Sequence, residues 1–251
     1  MRILPVSSPT SKKRNAFKLL LSLTLFGVLA LLPWRLQAAP VSQFEGMLGT
    51  KPVAFALPSG QCRADPANAS DKALMQHISK SIAGSYHLLG LTMTCDALEN
   101  IRKGRFPGFS RSVQYQSAVS TKDVDLPVTT QQFASWACKD EAANVFDPNK
   151  VSKAVAAKVD AGLEAMPVNT NQYLGALPAR LDGCYASFVR KIMGPDGKPR
   201  LLATVFASTL VKQRPLVVQM SDIYEGMPTV ASLSKDVSDL LVNLHKLNPA
   251  N

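Results

Sequence analysis

Residues 184–223 read CYASFVRKIMGPDGKPRLLATVFASTLVKQRPLVVQMSDI, and the period of this stretch decides the fold. Residues 184–192, 201–211 and 216–223 are runs rich in β-branched and aromatic side chains, the composition of strands. Residues 194–199 (GPDGKP) supply a polar turn between the first two, and Arg214-Pro215 breaks the next pair. Residues 173–177 add a strand just upstream. Connections this short join antiparallel neighbours, because a parallel return needs a crossover of about a dozen residues.

Outward from the meander, the chain turns helical on both sides. A terminal helix is capped by Thr229 and carries Leu233, Val237, Leu240, Leu241 and Leu244 on one stripe. Upstream, residues 130–165 form a helical segment. Thr130 precedes a helix with Phe133, Trp136 and Ala137 on one face; Asp147-Pro148 caps a second, with Val151, Val155 and Val159 along one side. Nearer the start, residues 51–61 alternate as a strand ending in Pro58-Ser59-Gly60. Ser70-Asp71 caps a helix bearing Leu74, Met75, Ile78 and Ile82. Residues 86–94 form a strand buried on both faces, a short helix starts at Asp96 and ends at Gly104, and residues 113–119 are a further strand. The fold class is therefore α+β: an antiparallel sheet of about six to seven strands, packed with helices in a single layered domain over residues 39–251.

Residues 55–60 (FALPSG), the meander over 173–224 and the helix over 229–247 together resemble the PsbP/Mog1/DcrB-like group of exported α+β proteins. The resemblance covers the order of elements, with the 130–165 helices as an addition. It implies a mostly non-enzymatic accessory role in the cell envelope, since a fold does not itself specify a function.

Residues 1–38 read as a bacterial export signal. Lys12, Lys13, Arg14 and Lys18 precede an apolar run over 19–32, Pro33 ends it, and Ala38-Ala39 offers a cleavage site. The alternative is an uncleaved N-terminal anchor: residues 17–34 hold 18 residues and one charge, near the lower limit of roughly 17–25 for a span. The chain is accordingly periplasmic or secreted, or in the alternative anchored in the inner membrane. The formal net charge of +10 shrinks with the signal removed. Six basic and no acidic residues lie in 1–38, leaving 22 basic against 18 acidic, a net +4. That is an ordinary solvated surface and argues against nucleic acid as a partner.

Cys62, Cys95, Cys138 and Cys184 all lie beyond the signal. An even count in an oxidising compartment argues for two disulfides, and the wide gaps without any C-x-x-C argue against a metal site. Of the three possible pairings, the order of elements favours Cys62–Cys95 and Cys138–Cys184.

Chemistry is sparse. Within residues 87–98 (HLLGLTMTCDAL), His87 and Cys95 stand eight positions apart, roughly 26 Å along a strand at about 3.3 Å per residue. A thiolate also needs a reducing environment, so Cys95 is not a nucleophile. His77 and His245 sit in helices away from any metal motif, and no nucleophile elbow, phosphate loop or dinucleotide fingerprint is present. Asp123, Asp125, Asp140 and Glu141 read as surface carboxylates. No catalytic residue, metal or cofactor is assigned. The stretch over 102–111 (RKGRFPGFSR) is the one candidate ligand site. There Arg102, Lys103, Arg105 and Arg111 with Phe106 and Phe109 form an exposed cationic loop for an anionic ligand. The expected function is a non-catalytic binding or accessory module of the envelope, its partner an envelope protein or an anionic ligand. Two alternatives stand beside it: an exported hydrolase assembled from distant residues such as His87, Asp96 and a serine, and a structural subunit of an envelope complex. Membrane contact follows only if the N-terminal segment is uncleaved.

Overall fold

The meander forms as read, with one difference at its second turn. In the computed structural model, which describes residues 42–105, 108–139, 145–178, 180, 182–194 and 196–249, three long strands pair in sequence: β7 (Cys184–Met193), β8 (Pro199–Val211) and β9 (Arg214–Ile223). Residues 1–38, read as an export signal, together with Phe106, Asp140 and Glu141, lie outside the described residues. Between β7 and β8 the amide of Gly194 donates to the Lys198 carbonyl at 2.7 Å. Between β8 and β9, however, the turn is Lys212-Gln213, at φ 49° and 66°, and Arg214-Pro215 lies inside β9. Val211 pairs with Arg214 and Leu210 with Pro215. A two-residue turn closes on a hydrogen-bonded pair, so the Pro215 nitrogen faces away from β8 and its missing N–H removes no rung there.

Four more strands complete the main sheet: β3 (Gln61–Arg63), β4 (Tyr86–Thr94), β5 (Ser112–Ala118) and β6 (Thr170–Ala176). Its order is β3-β4-β5-β9-β8-β7-β6, antiparallel throughout. The expected strand over 51–61 divides in two. β2 (Lys51–Ala56) pairs with β1 (Gln43–Leu48) in a separate hairpin, and only β3, after a turn closed by Gln61 N–H on Pro58 O, joins the main sheet.

Five helices pack on this frame: α1 (Ala69–Ile82), α2 (Cys95–Arg102), α3 (Thr130–Ala137), α4 (Lys153–Ala165) and α5 (Met227–Leu247). The stripe read on α5 is its buried face, with Leu233, Val237, Leu241 and Leu244 fully enclosed. It meets β8, β9 and the β1–β2 hairpin, forming the main core. At the heart of that core Phe44, Phe55 and Tyr115 cluster with ring centroids 4.8–5.6 Å apart, and the Tyr115 hydroxyl donates to Ala56 O. Gly90 sits at a bulge in β4, where a Cβ would meet the Phe44 ring at 2.8 Å. That strand is locally displaced to admit an aromatic ring, not bent to bring His87 to Cys95. Leu91 and Met93, on the alternate side of β4, form a smaller cluster with α1 and α2.

Several helix starts differ from the sequence reading. Asn68, not Ser70-Asp71, caps α1, leaving Asp71 buried. Thr129 caps α3 in a reciprocal box with Gln132. Ser152 caps α4, and Asp147 instead accepts from the amide of Asn149. Gly226 precedes α5, with Pro228 in its first turn, and Thr229 accepts from Glu225 N–H. On α3 Phe133 and Ala134 are buried, whereas Trp136 is 70% exposed; Val155 on α4 is likewise exposed. Short helices have too few turns for periodicity to select a face, so tertiary packing selects it.

Both disulfides form as read, Cys62–Cys95 and Cys138–Cys184. The first ties β3 to the start of α2, and the second ties the end of α3 to β7.

Candidate functional site

Five of the six residues of the expected cationic loop are described, and three of its four cations are held by carboxylates of this chain. Arg102 is taken by the buried carboxylate of Asp71, its Nη2 2.7 Å from Oδ2. Lys103 pairs with Glu99 at 3.1 Å. Arg111 reaches Asp222 at 2.8 Å and Asp236 at 2.5 Å, linking β5 to β9 and α5. Arg105 is exposed and Phe109 half-buried, while Phe106 lies outside the described residues. Asp71, Asp222 and Asp236, which neutralise Arg102 and Arg111, are distant in sequence and could not be read locally, whereas Glu99 stands only four residues before Lys103. His87, Cys95 and Asp96 are not brought together either. His87 stands at the start of β4 and is exposed, Cys95 is in a disulfide, and Asp96 lies in the first turn of α2. Asp123 and Asp125 are engaged by Lys122, Lys51 and Arg214.

A concave site lies elsewhere, at one end of the sheet. Five segments surround a cleft of about 980 Å³: the start of β2, the stretch entering α3, Asp182, the β8–β9 turn and the C-terminal end of α5. Its walls include Pro52, Pro127, Val128, Leu210 and Pro249, and its rim carries Lys51 and Lys212. A cavity of this size, with more apolar than polar wall area but with Asp182, Lys212, Gln213 and His245 also in its lining, has the character of a small-molecule site.

The segments are tied to one another at the cleft. Lys51 Nζ donates to Lys212 O at 2.9 Å and pairs with Asp125 at 3.0 Å. Lys212 Nζ in turn donates to Pro52 O at 2.6 Å, clasping the β8–β9 turn to β2. Asn248, at the end of α5, treats β2 as a neighbouring strand. Its Oδ1 accepts from Ala54 N–H at 3.0 Å and its Nδ2 donates to Ala54 O at 2.7 Å. Opposite, the capping box holds Thr129 and Gln132 with bonds of 3.1 and 2.8 Å.

Arg214 anchors the loop that leads to this wall. Only 5% exposed, it donates to Asp125 at 2.8 Å, Leu48 O at 2.9 Å, Thr50 at 3.1 Å and Lys122 O at 3.3 Å. Gly49, at φ +61°, is the residue its guanidinium covers, and a Cβ there would fall on Arg214.

His245 lies in the cleft lining beside Asp182. Its Nε2 lies 3.0 Å from the Thr209 hydroxyl, which donates to Asp182 O at 2.5 Å. With that proton committed to the carbonyl, Nε2 acts as the donor to Thr209. Burial holds the imidazole pKa below its ordinary value, against the opposing pull of the Asp182 carbonyl and charge. The Asp182 carboxylate accepts from Tyr185 OH at 2.9 Å. Among the described residues no group of three or more His, Cys, Asp or Glu side chains is placed to hold a metal ion.

A shallower depression shares Thr129 and Gln132 with the cleft and carries Trp136 and Lys139. Sequence reasoning missed the whole site, because its walls come from residues between 51 and 249. The only local signal is Lys212-Gln213, two non-glycine residues in a hairpin turn that favours Asn and Gly.

No family model matches this chain, and no curated protein matches it. A solved structure with similarity is that of LpqN, involved in cell envelope biogenesis of Mycobacterium tuberculosis. It is 10% identical, with a TM-score of 0.23, covering 80% of this chain and 82% of LpqN. A likeness that low carries no argument about fold or role. The PsbP/Mog1/DcrB-like resemblance rests on the order of elements alone. No described helix is long and apolar enough to cross a membrane.

Proposed function

We propose that this chain is an exported, non-catalytic binding protein of the bacterial cell envelope, and that the cleft at the end of its sheet holds the ligand. One observation carries the reading: five separate segments, cross-tied by Lys51, Lys212, Arg214 and Asn248, are held around one cavity of ligand size. A pre-formed cavity lowers the ordering cost of binding. The compartment is supported by two disulfides, which persist in oxidising surroundings, and by the export pattern of residues 1–38. The arginine-rich loop is the weaker candidate, since Arg102, Lys103 and Arg111 already hold carboxylates of this chain.

The test is native mass spectrometry of the chain isolated from its own envelope fraction, beside a Val128→Asp variant. Val128 is 41% exposed, so an added carboxylate alters the cleft wall and spares the core. A small molecule that accompanies the wild type and is lost from the variant supports the reading; identical adducts on both refute it. N-terminal sequencing of the same sample should begin at Ala39, and an intact Met1 would replace export by cleavage with anchoring.

A further inference from the structure

We infer that the cleft takes an anionic amphiphile: an apolar chain or ring against the proline-rich wall, with a carboxylate or phosphate at Lys212. This rests on the cleft reading above and names its ligand class. Three observations point the same way.

Most polar groups in the wall are already engaged within the chain. Thr129 and the Gln132 carbonyl close the capping box, Thr130 donates to Leu210 O at 3.5 Å, and the Asn248 amide is used by Ala54 and Leu244. The Gln132 and Gln213 amide groups and the Asp182 carboxylate keep bonding capacity, so a ligand rich in hydroxyls would find few partners for the groups it desolvates, which is costly. The remaining wall, from Pro52, Pro127, Val128, Leu210 and Pro249, offers apolar area with almost no rotamer freedom to lose.

The rim, by contrast, holds an uncompensated charge. Lys51 shares its charge with Asp125. The Lys212 ammonium donates to the neutral carbonyl of Pro52, and among the described residues no carboxylate lies within ion-pair distance of it. The left-handed Lys212-Gln213 turn, clasped from both sides, fixes that ammonium beside the apolar wall. A fixed cation next to an apolar trough selects a ligand with both characters.

The test uses the exported chain purified with its disulfides formed. Titration calorimetry would be run with dodecanoate, decanoate, dodecanol, dodecyl phosphate and inorganic phosphate. Trp136 provides a second readout: the sequence has two tryptophans, the other being Trp34 in the export segment, so it is the sole reporter in the processed chain. It lines the depression next to the cleft. Dodecanoate should bind at one site and decanoate about fifteenfold more weakly, because each of the two lost methylenes contributes about 0.8 kcal/mol, roughly fourfold. Dodecanol should be at least about fivefold weaker than dodecanoate, and Lys212→Gln should bring the two affinities together. Dodecyl phosphate should behave as dodecanoate does, and inorganic phosphate alone should not compete. Val128→Asp should abolish binding, with far-UV circular dichroism confirming that it remains folded.

Equal affinity for decanoate and dodecanoate would overturn the apolar part, and equal affinity for dodecanol and dodecanoate the anionic part. No binding of any amphiphile, or competition by inorganic phosphate, overturns the inference outright. If the native adduct is then hydrophilic and still sensitive to Val128→Asp, the cleft reading survives without it. Dodecanoate binding that ignores both Val128→Asp and Lys212→Gln places the amphiphile elsewhere and removes the cleft reading as well.

Discussion

Replacing Arg214 with methionine should loosen the end of the molecule that carries the cleft. The methionine keeps much of the aliphatic stem but deletes a guanidinium that serves Asp125, Leu48 O, Thr50 and Lys122 O. Breaking a buried, hydrogen-bonded charge network usually costs about 3–5 kcal/mol. Two features set where in that range this site falls. Asp125 is half-exposed and keeps Lys51, so no buried carboxylate is stranded. Leu48 is fully buried, so its carbonyl loses a donor away from water. The loss should therefore lie at the lower end, about 3 kcal/mol. With a urea m-value of about 2 kcal/mol/M, the midpoint should fall by roughly 1.5 M. Equilibrium unfolding of the oxidised chain reads this directly. Arg214→Lys should recover only part of the loss, because an ammonium cannot span the fork that reaches Leu48 and Asp125 together. The acid limb adds a check. Bonds from Arg214, then from Lys51, hold the Asp125 pKa below its ordinary value. A carboxylate with a lowered folded pKa stabilises fully above its unfolded pKa, and that stabilisation disappears as pH falls through the folded value. The gap between wild type and Arg214→Met should accordingly narrow in acid. A midpoint shift below about 0.3 M at neutral pH would refute the view that this network holds the hairpin and loop.

Three further outcomes follow from the same physics. Asn248→Ala should cost about 2 kcal/mol and increase hydrogen exchange at Ala54, whose N–H and C=O lose their partner; protection at Ala54 equal to wild type would contradict the rung-like role. Opening Cys138–Cys184 with a double alanine variant should lower stability by about 4 kcal/mol in the chain-entropy model, since the bridge spans 46 positions; calorimetry showing no change would mean the α3 region is held by packing alone. His245 has a folded pKa below its unfolded one, so between those values the unfolded chain binds more protons and stability declines as pH drops. Urea midpoints at pH 7.5 and 5 should fall more for wild type than for His245→Gln, and parallel falls would show that this imidazole does not titrate on folding.

The sequence by itself determined the features governed by local period and turn chemistry. The meander over 173–223 survives nearly to the residue because strand alternation and the GPDGKP turn are short-range properties. The α5 stripe was legible because 21 residues give enough turns for its buried face to declare itself. The cysteine pairs followed from compartment and element order, and both bridges are present. Tertiary structure decided the rest, where the partner is distant in the chain. Arg102 and Arg111 looked like a ligand loop until Asp71, Asp222 and Asp236 met them in space. Trp136 faces solvent because an eight-residue helix turns whichever side its neighbours will bury. Beyond the Lys212-Gln213 turn the cleft has no signature in any window of sequence: its walls come from five separate segments. Only the closing of β2 against the β8–β9 turn and the end of α5 places an apolar wall beside Lys212, which has no carboxylate partner among the described residues.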